Sequence, residues 1–305
     1  MLNQHKRIAI PLESLFIVDY LRAEPRFDLD WLKSYLVKEP ELREWGLDAD
    51  AQVVAECPTI ASAIRRLHEI YAEQRGADVW GGKTPRLVRY LDLILQHYPT
   101  VRIVHLVRDP RAVANSLIKS DVHRSDAYHA ATRWVRDVRS GLDFEATHPD
   151  ISLHVFYEQM VSQPESTLAR ILDFLRLDGA VSETLNAQPQ GLREYSEFYS
   201  NIHANLDRRP TPEFINKWRT SLSQTDQEVI EAICGRQMVE LGYEPELATH
   251  QLRKGVVRRM KLRRVILTFL QTMRYLRYRR PYITFLLMRK WRLGYLREFL
   301  WNANY

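Results

Sequence analysis

The sequence predicts an open α/β fold whose parallel strands are joined by helical crossovers. Two observations predict it. The run Val101-Arg-Ile-Val-His-Leu-Val107 is apolar and β-branched, as a buried strand is, and Asp109-Pro110 follows it with an N-cap residue and a proline at the first helical position. Between residues 86 and 175 the pattern then reads helix, strand, helix, helix, strand, helix, which calls for parallel pairing with crossovers. A chain of 305 residues with 45% hydrophobic content has the material for a sizeable core.

The elements follow in order. Residues 8–18 are apolar with one carboxylate, Glu13, among them. Residues 28–75 read as mostly helical, with Trp31, Leu32, Tyr35 and Leu36 at helical spacing. Trp80-Gly-Gly-Lys-Thr-Pro85 reads as a loop preceded by helix, and 86–97 as a helix. After the strand at 101–107, residues 126–145 read as a long helix containing Trp134 and 151–157 as a second strand. A helix ends at Leu175, 183–221 is loop-rich, and 226–241 is helical. The sequence contains no internal repeat.

Cys57 and Cys234 lie far apart without metal-ligand spacing. That argues against a disulfide scaffold or a zinc site and fits a reducing, cytoplasmic setting. The first residues lack the apolar stretch of a secretory signal, and no apolar run is long enough to span a bilayer. The net charge of +6 is unevenly spread: residues 251–305 hold fifteen Lys or Arg against one acid, Glu298, leaving 29 basic and 37 acidic residues elsewhere. The body is thus mildly acidic and the tail strongly basic, which divides the chain into a domain at 1–248 and a tail at 249–305.

Arg108 falls at the carboxyl end of the 101–107 strand, where open α/β sheets bind ligands. The next helix offers its N-terminus to an anion, and Ser116 adds a hydroxyl two turns in. An Arg fork, a helix end and a hydroxyl suit a phosphate.

Arg108-Asp-Pro-Arg-Ala-Val-Ala-Asn-Ser116, Tyr157-Glu158 at the second strand end, Glu13 in Ile10-Pro-Leu-Glu-Ser14 and Lys83 in Trp80-Gly-Gly-Lys-Thr-Pro-Arg86 together resemble the PAPS-dependent sulfotransferases, especially bacterial members and the tyrosylprotein and carbohydrate branches. The resemblance spans roughly residues 1–245. It implies a P-loop NTPase-like parallel sheet flanked by helices, followed by a helical C-terminal extension. It also implies PAPS (3′-phosphoadenylyl sulfate) as co-substrate, with Arg108 and Ser116 on its 3′-phosphate and Tyr157 on its adenine. In the same scheme Glu13 is the general base, its basicity raised by apolar neighbours, and Lys83 stabilises charge on the transferred group. The scheme needs no metal. Its acceptor is a hydroxyl or an amine of a glycan, lipid or polypeptide. The alternative is an inactive relative that binds a nucleotide or a membrane.

The family's phosphosulfate loop, of the type Pro-Arg-Ser-Gly-Thr-Thr-Leu, is absent from the sequence, and Met1–His5 resembles the helix that follows it in relatives. The expectation is that the first strand and that loop precede Met1 in the gene. A basic loop ahead of a tryptophan, Asn205–Pro210 before Trp218, is a weaker echo of the family. In the tail, Leu262, Ile266, Phe269, Met273 and Leu276 fall on one helical line with arginines beside it. Pro281 divides this helix from a second. A basic amphipathic tail over 253–300 points to an anionic membrane surface at the inner face of the plasma membrane. The competing expectation is a terminal helix pair packed on the domain with a solvated basic face. The acidic body argues against nucleic acid.

Overall fold

The computed structural model describes residues 1–120, 125–178, 180–187, 211–247, 255, 257–262, 265–266, 269–270, 273 and 280–295. Its strands are β1 (Ile8–Ala9), β2 (Val79–Trp80), β3 (Ile103–Val107) and β4 (Ser152–Phe156). The helices are α1 (Ile17–Ala23), α2 (Leu29–Leu36), α3 (Pro40–Glu44), α4 (Ile60–Glu73), α5 (Leu91–His97), α6 (Pro110–Lys119), α7 (Ala127–Thr147), α8 (Tyr157–Ser162), α9 (Pro164–Leu175), α10 (Val181–Asn186), α11 (Trp218–Ser221), α12 (Gln224–Glu240) and α13 (Arg280–Arg292). Their starts have local causes. Asp28, Asp109, Asp126 and Ser223 each accept a backbone N–H of the turn they cap, and Thr59 with Ser62 forms a capping box on α4.

Both strand pairs are parallel, as the crossover pattern requires. Ile8 and Ala9 face Val79 and Trp80, and Ile103–Val107 runs in register with Ser152–Phe156. The described strands form two two-stranded sheets rather than the single sheet expected. Within the first apolar run, whose element type the sequence left open, Ile8–Ala9 is a strand. Two readings are corrected. Val79–Trp80 is a strand, so the Gly-Gly-Lys-Thr segment follows a strand rather than a helix. The 86–97 helix is a 3₁₀ segment, Pro85–Tyr90, running into α5. Two-residue strands carry no alternation for a sequence pattern to detect.

The chain separates into two compact units, one of Met1–Arg102, Leu168–Ser200 and Thr284–Asn302, the other of Ile103–Thr167, Asn201–Ile283 and Ala303–Tyr305. The first has its core in Phe16, Tyr20, Leu32, Leu36, Ile64 and Leu67, where α1, α2 and α4 meet. The second is centred on Val107, Ala131, Trp134, Ile230 and Met238, contributed by β3, α7 and α12.

In the basic tail, α13 begins at Arg280, one residue before Pro281. Helix α13 buries Leu286 and Leu293, which the sequence places on its apolar line, but two of its cations depart from the expected polarity. Arg289 and Lys290 are buried beside them, and Met288 and Trp291 are exposed. Buried carboxylates explain this burial: Arg289 reaches Glu39 at 2.8 Å, Glu41 at 3.3 Å and Asp19 at 3.5 Å, and Lys290 pairs with Asp19. A cation can leave water when counter-charges and hydrogen bonds await it. The expected solvated basic face is therefore not what this helix presents.

Candidate functional site

Glu13 and Lys83 come together in the first unit. Both follow the carboxyl ends of the parallel neighbours β1 and β2, so 70 residues of sequence separation close to one ion pair, Lys83 Nζ to Glu13 Oε1 at 2.6 Å. The two loops are tied once more by the Ser14 N–H, which donates to Thr84 Oγ1 at 2.8 Å. The Glu13 side chain is 21% exposed and that of Lys83 54%. The carboxylate read in the sequence as lying beside apolar residues thus also has an ammonium against it. The pair is open to solvent, and a hydroxyl arriving there meets an acceptor oxygen and a cation together.

In the second unit, Arg108 and Tyr157 leave the ends of β3 and β4, which are in register. The Arg108 guanidinium lies over the Tyr157 ring, 4.1 Å from its centroid. One Arg108 N–H donates to the Phe214 carbonyl at 2.6 Å, and its Nε is buried without a hydrogen-bond partner among the described residues. Among the described residues no carboxylate pairs with Arg108. The adjacent Asp109 is taken by Arg111, at 2.8 Å, and Arg111 also reaches Glu231 at 3.0 Å. A guanidinium with a spare buried N–H at a strand end is ready for an anion, since an unmet buried donor costs on the order of 1–3 kcal/mol. Ser116 is exposed on α6, about two turns beyond the helix start. Arg108 thus covers one face of the Tyr157 ring.

Sequence reasoning assigned no such role to the groups that fix these strand ends. Trp134 Nε1 donates to the Arg108 carbonyl at 2.9 Å. Glu158 accepts from the Asp109 N–H at 3.1 Å and from the Tyr243 hydroxyl at 2.9 Å. Burial, with Glu158 beside it, pushes the Tyr243 hydroxyl far above the usual tyrosine range, so it remains a donor. Trp218 is fully buried with the Arg111 guanidinium 4.0 Å from its ring centroid. The Asp109-Pro-Arg111 spacing was visible in the sequence, but which arginine turns inward was not. The Asn205–Pro210 loop lies outside the described residues, as do Arg263, Arg264, Arg274, Leu276 and Arg277. Among the described residues no helix is long and apolar enough to cross a membrane.

Comparison with known proteins bears on these arrangements. Residues 1–183 match the family model described as "Sulfotransferase family". A putative protein-tyrosine sulfotransferase of Caenorhabditis briggsae is 30% identical over 100 residues, covering 31% of this chain and 36% of that protein. Carbohydrate sulfotransferase 2 of Mus musculus is 24% identical over 239 residues, covering 64% of this chain and 44% of that protein. The chain thus spans less than half the length of these curated relatives. In three dimensions it is similar to the sulfotransferase domain from the curacin biosynthetic pathway, with a TM-score of 0.53 at 16% identity over 80% of this chain and 91% of that one. That likeness concerns the fold.

Proposed function

Because the chain belongs to the sulfotransferase family, we propose that it transfers the sulfuryl group of PAPS to a hydroxyl, or secondarily an amine, of a glycan, lipid or polypeptide acceptor. Arg108 and Ser116 hold the 3′-phosphate and Tyr157 the adenine. The observation that carries this reading is Arg108, a half-buried guanidinium without a counter-ion among the described residues at the end of β3. In the reaction the acceptor oxygen forms a bond to sulfur as the bond from sulfur to the bridging phosphosulfate oxygen breaks. The acceptor proton passes to Glu13, and adenosine 3′,5′-bisphosphate leaves with the electron pair. Lys83 offsets negative charge on the transferred group and the leaving oxygen. The 2.6 Å Glu13–Lys83 contact supports this division of labour, since both groups serve one small volume. In that step Lys83 exchanges its contact with Glu13 for the transferred group, which frees the carboxylate to accept a proton.

Titration calorimetry tests the nucleotide half. The reading predicts tighter binding of adenosine 3′,5′-bisphosphate than of adenosine 5′-monophosphate. Arg108→Ala removes a charged hydrogen bond of about 1.5–3 kcal/mol, so the preference falls by roughly 10- to 150-fold. Equal affinity of the wild-type chain for both nucleotides refutes the assignment.

The tail supports docking of the same protein on an anionic lipid surface. Leu262, Val265, Ile266, Phe269, Leu270 and Met273 are each 46–66% exposed and recur at helical spacing. Arg258, Arg259 and Lys261, also exposed, precede them on the same segment. An apolar stripe with cations beside it matches an interface of acyl chains and acidic headgroups. Such a location favours acceptors held at the membrane.

A further inference from the structure

His105 on β3 and His154 on β4 are register partners, so they sit side by side on one face of the ladder. Helix α7 crosses that face with Gly141 and Glu145, one turn apart. Gly141 is required there: a Cβ at that position would stand 2.1–2.6 Å from three atoms of the His105 ring. The absent side chain gives the imidazole its space. His105 Nδ1 lies 2.5 Å from Glu145 Oε1, and His154 Nδ1 lies 3.0 Å from Glu145 Oε2 and 3.2 Å from Oε1. The two rings are nearly perpendicular, at 84°, with centroids 5.5 Å apart, so they converge on the carboxylate rather than stack. One ligand atom from each of the three residues can be chosen so that all lie within 4.8 Å of one another. Phe156 packs against the His154 ring and holds it from the side.

From this convergence we propose that His105, Glu145 and His154 bind a divalent transition-metal ion of the zinc class. Two imidazole nitrogens and a carboxylate oxygen form a borderline donor set that suits zinc, cobalt or nickel and is poor for magnesium or calcium, which prefer oxygen. Three protein ligands leave a position for water. The partial exposure of His154 and Glu145, 23% and 16% of their side chains, gives the ion a route in. The ligands come from positions 105, 145 and 154, a spacing that no short metal motif displays. The ion would bridge β3, β4 and α7 three residues before Arg108 and three before Tyr157, bracing both strand ends. The proposal is independent of sulfuryl transfer, and its failure leaves that reading untouched.

The test uses the untagged full chain, stripped with a chelator and titrated with Co²⁺, then Zn²⁺. The proposal predicts visible d–d bands that saturate at one equivalent of Co²⁺ and vanish when one equivalent of Zn²⁺ is added. It also predicts X-ray absorption of the zinc form with nitrogen and oxygen neighbours at about 2.0 Å and no sulfur at about 2.3 Å. His154→Gln, at the most exposed ligand, weakens Co²⁺ binding at least ~100-fold, beyond what loss of an outer-shell partner gives. Gly141→Ala weakens it too, by displacing the His105 ring. Circular dichroism confirms that each variant is folded; should His154→Gln not fold, the stoichiometry and absorption spectrum of the wild-type chain decide alone. Absence of Co²⁺ bands in the wild-type chain, sulfur in the zinc shell, or unchanged affinity in folded His154→Gln overturns the proposal.

Discussion

Replacing Arg289 with methionine keeps most of the side-chain volume and removes the charge. The guanidinium is fully buried, 2.8 Å from Glu39 and 3.3 Å from Glu41, and both carboxylates are 0–1% exposed. Glu39 has another partner in the Tyr20 hydroxyl at 2.6 Å, and Asp19 keeps Arg86 at 2.8 Å and Lys290. Glu41 has no other cation among the described ion pairs and bears most of the loss. Breaking one partner out of a buried pair costs about 3–5 kcal/mol, because a buried charge is left uncompensated. Burial, with the neighbouring Glu39 carboxylate, already pushes the Glu41 carboxyl up to about 7 against the pull of Arg289. An acid whose folded value exceeds its unfolded value binds its proton more tightly when folded. Its contribution therefore falls as pH rises from about 4.5 toward 7. Without Arg289 that window extends above 7, so the damage from Arg289→Met grows with pH. Urea unfolding at pH 5.5 and pH 8, with limited proteolysis at α13, measures it. The double variant with Glu41→Gln recovers a large part of the loss, as coupled neighbours do. A loss below about 1 kcal/mol at pH 8 would refute the reasoning, since that is the scale of solvated surface pairs.

Other outcomes follow from named groups. His68 is buried between Trp45 and Trp80, and burial lowers its value to about 4. Only the unfolded chain takes the proton between pH 6.5 and 4, so acidification over that window removes about 3 kcal/mol, and His68→Leu flattens this limb of a stability–pH curve. Glu13→Gln lowers sulfuryl transfer by about 10²- to 10⁴-fold while nucleotide affinity holds, which single-turnover kinetics read separately from binding. Phe269→Asp with Ile266→Asp abolishes flotation with anionic vesicles and leaves the far-ultraviolet circular dichroism unchanged; continued flotation would remove the lipid reading of the tail.

The β3–α6 segment was legible because its signals are local: a β-branched run, an aspartate cap and a proline at the first helical position. The closeness of Glu13 and Lys83 was not, since it depends on pairing of two strands too short to show a period. The burial of two α13 cations was not legible for another reason. These cations answer Asp19, Glu39 and Glu41, which lie about 250 or more residues earlier and carry no mark of burial in sequence. The His105–Glu145–His154 cluster is hidden in the same way, because register and a single glycine bring it together. Residue type and position singled out Arg108 in the sequence, whereas tertiary pairing decided which of its neighbours were already occupied.

The most direct measurement of the central claim is incubation of the chain with PAPS carrying radiolabelled sulfur and with glycan, lipid and polypeptide acceptor pools. The account predicts label in one pool, release of adenosine 3′,5′-bisphosphate in equal amount, and loss of both in Glu13→Gln. Tight binding of that bisphosphate with no label transferred to any pool would contradict it and leave a nucleotide-binding relative without sulfuryl transfer.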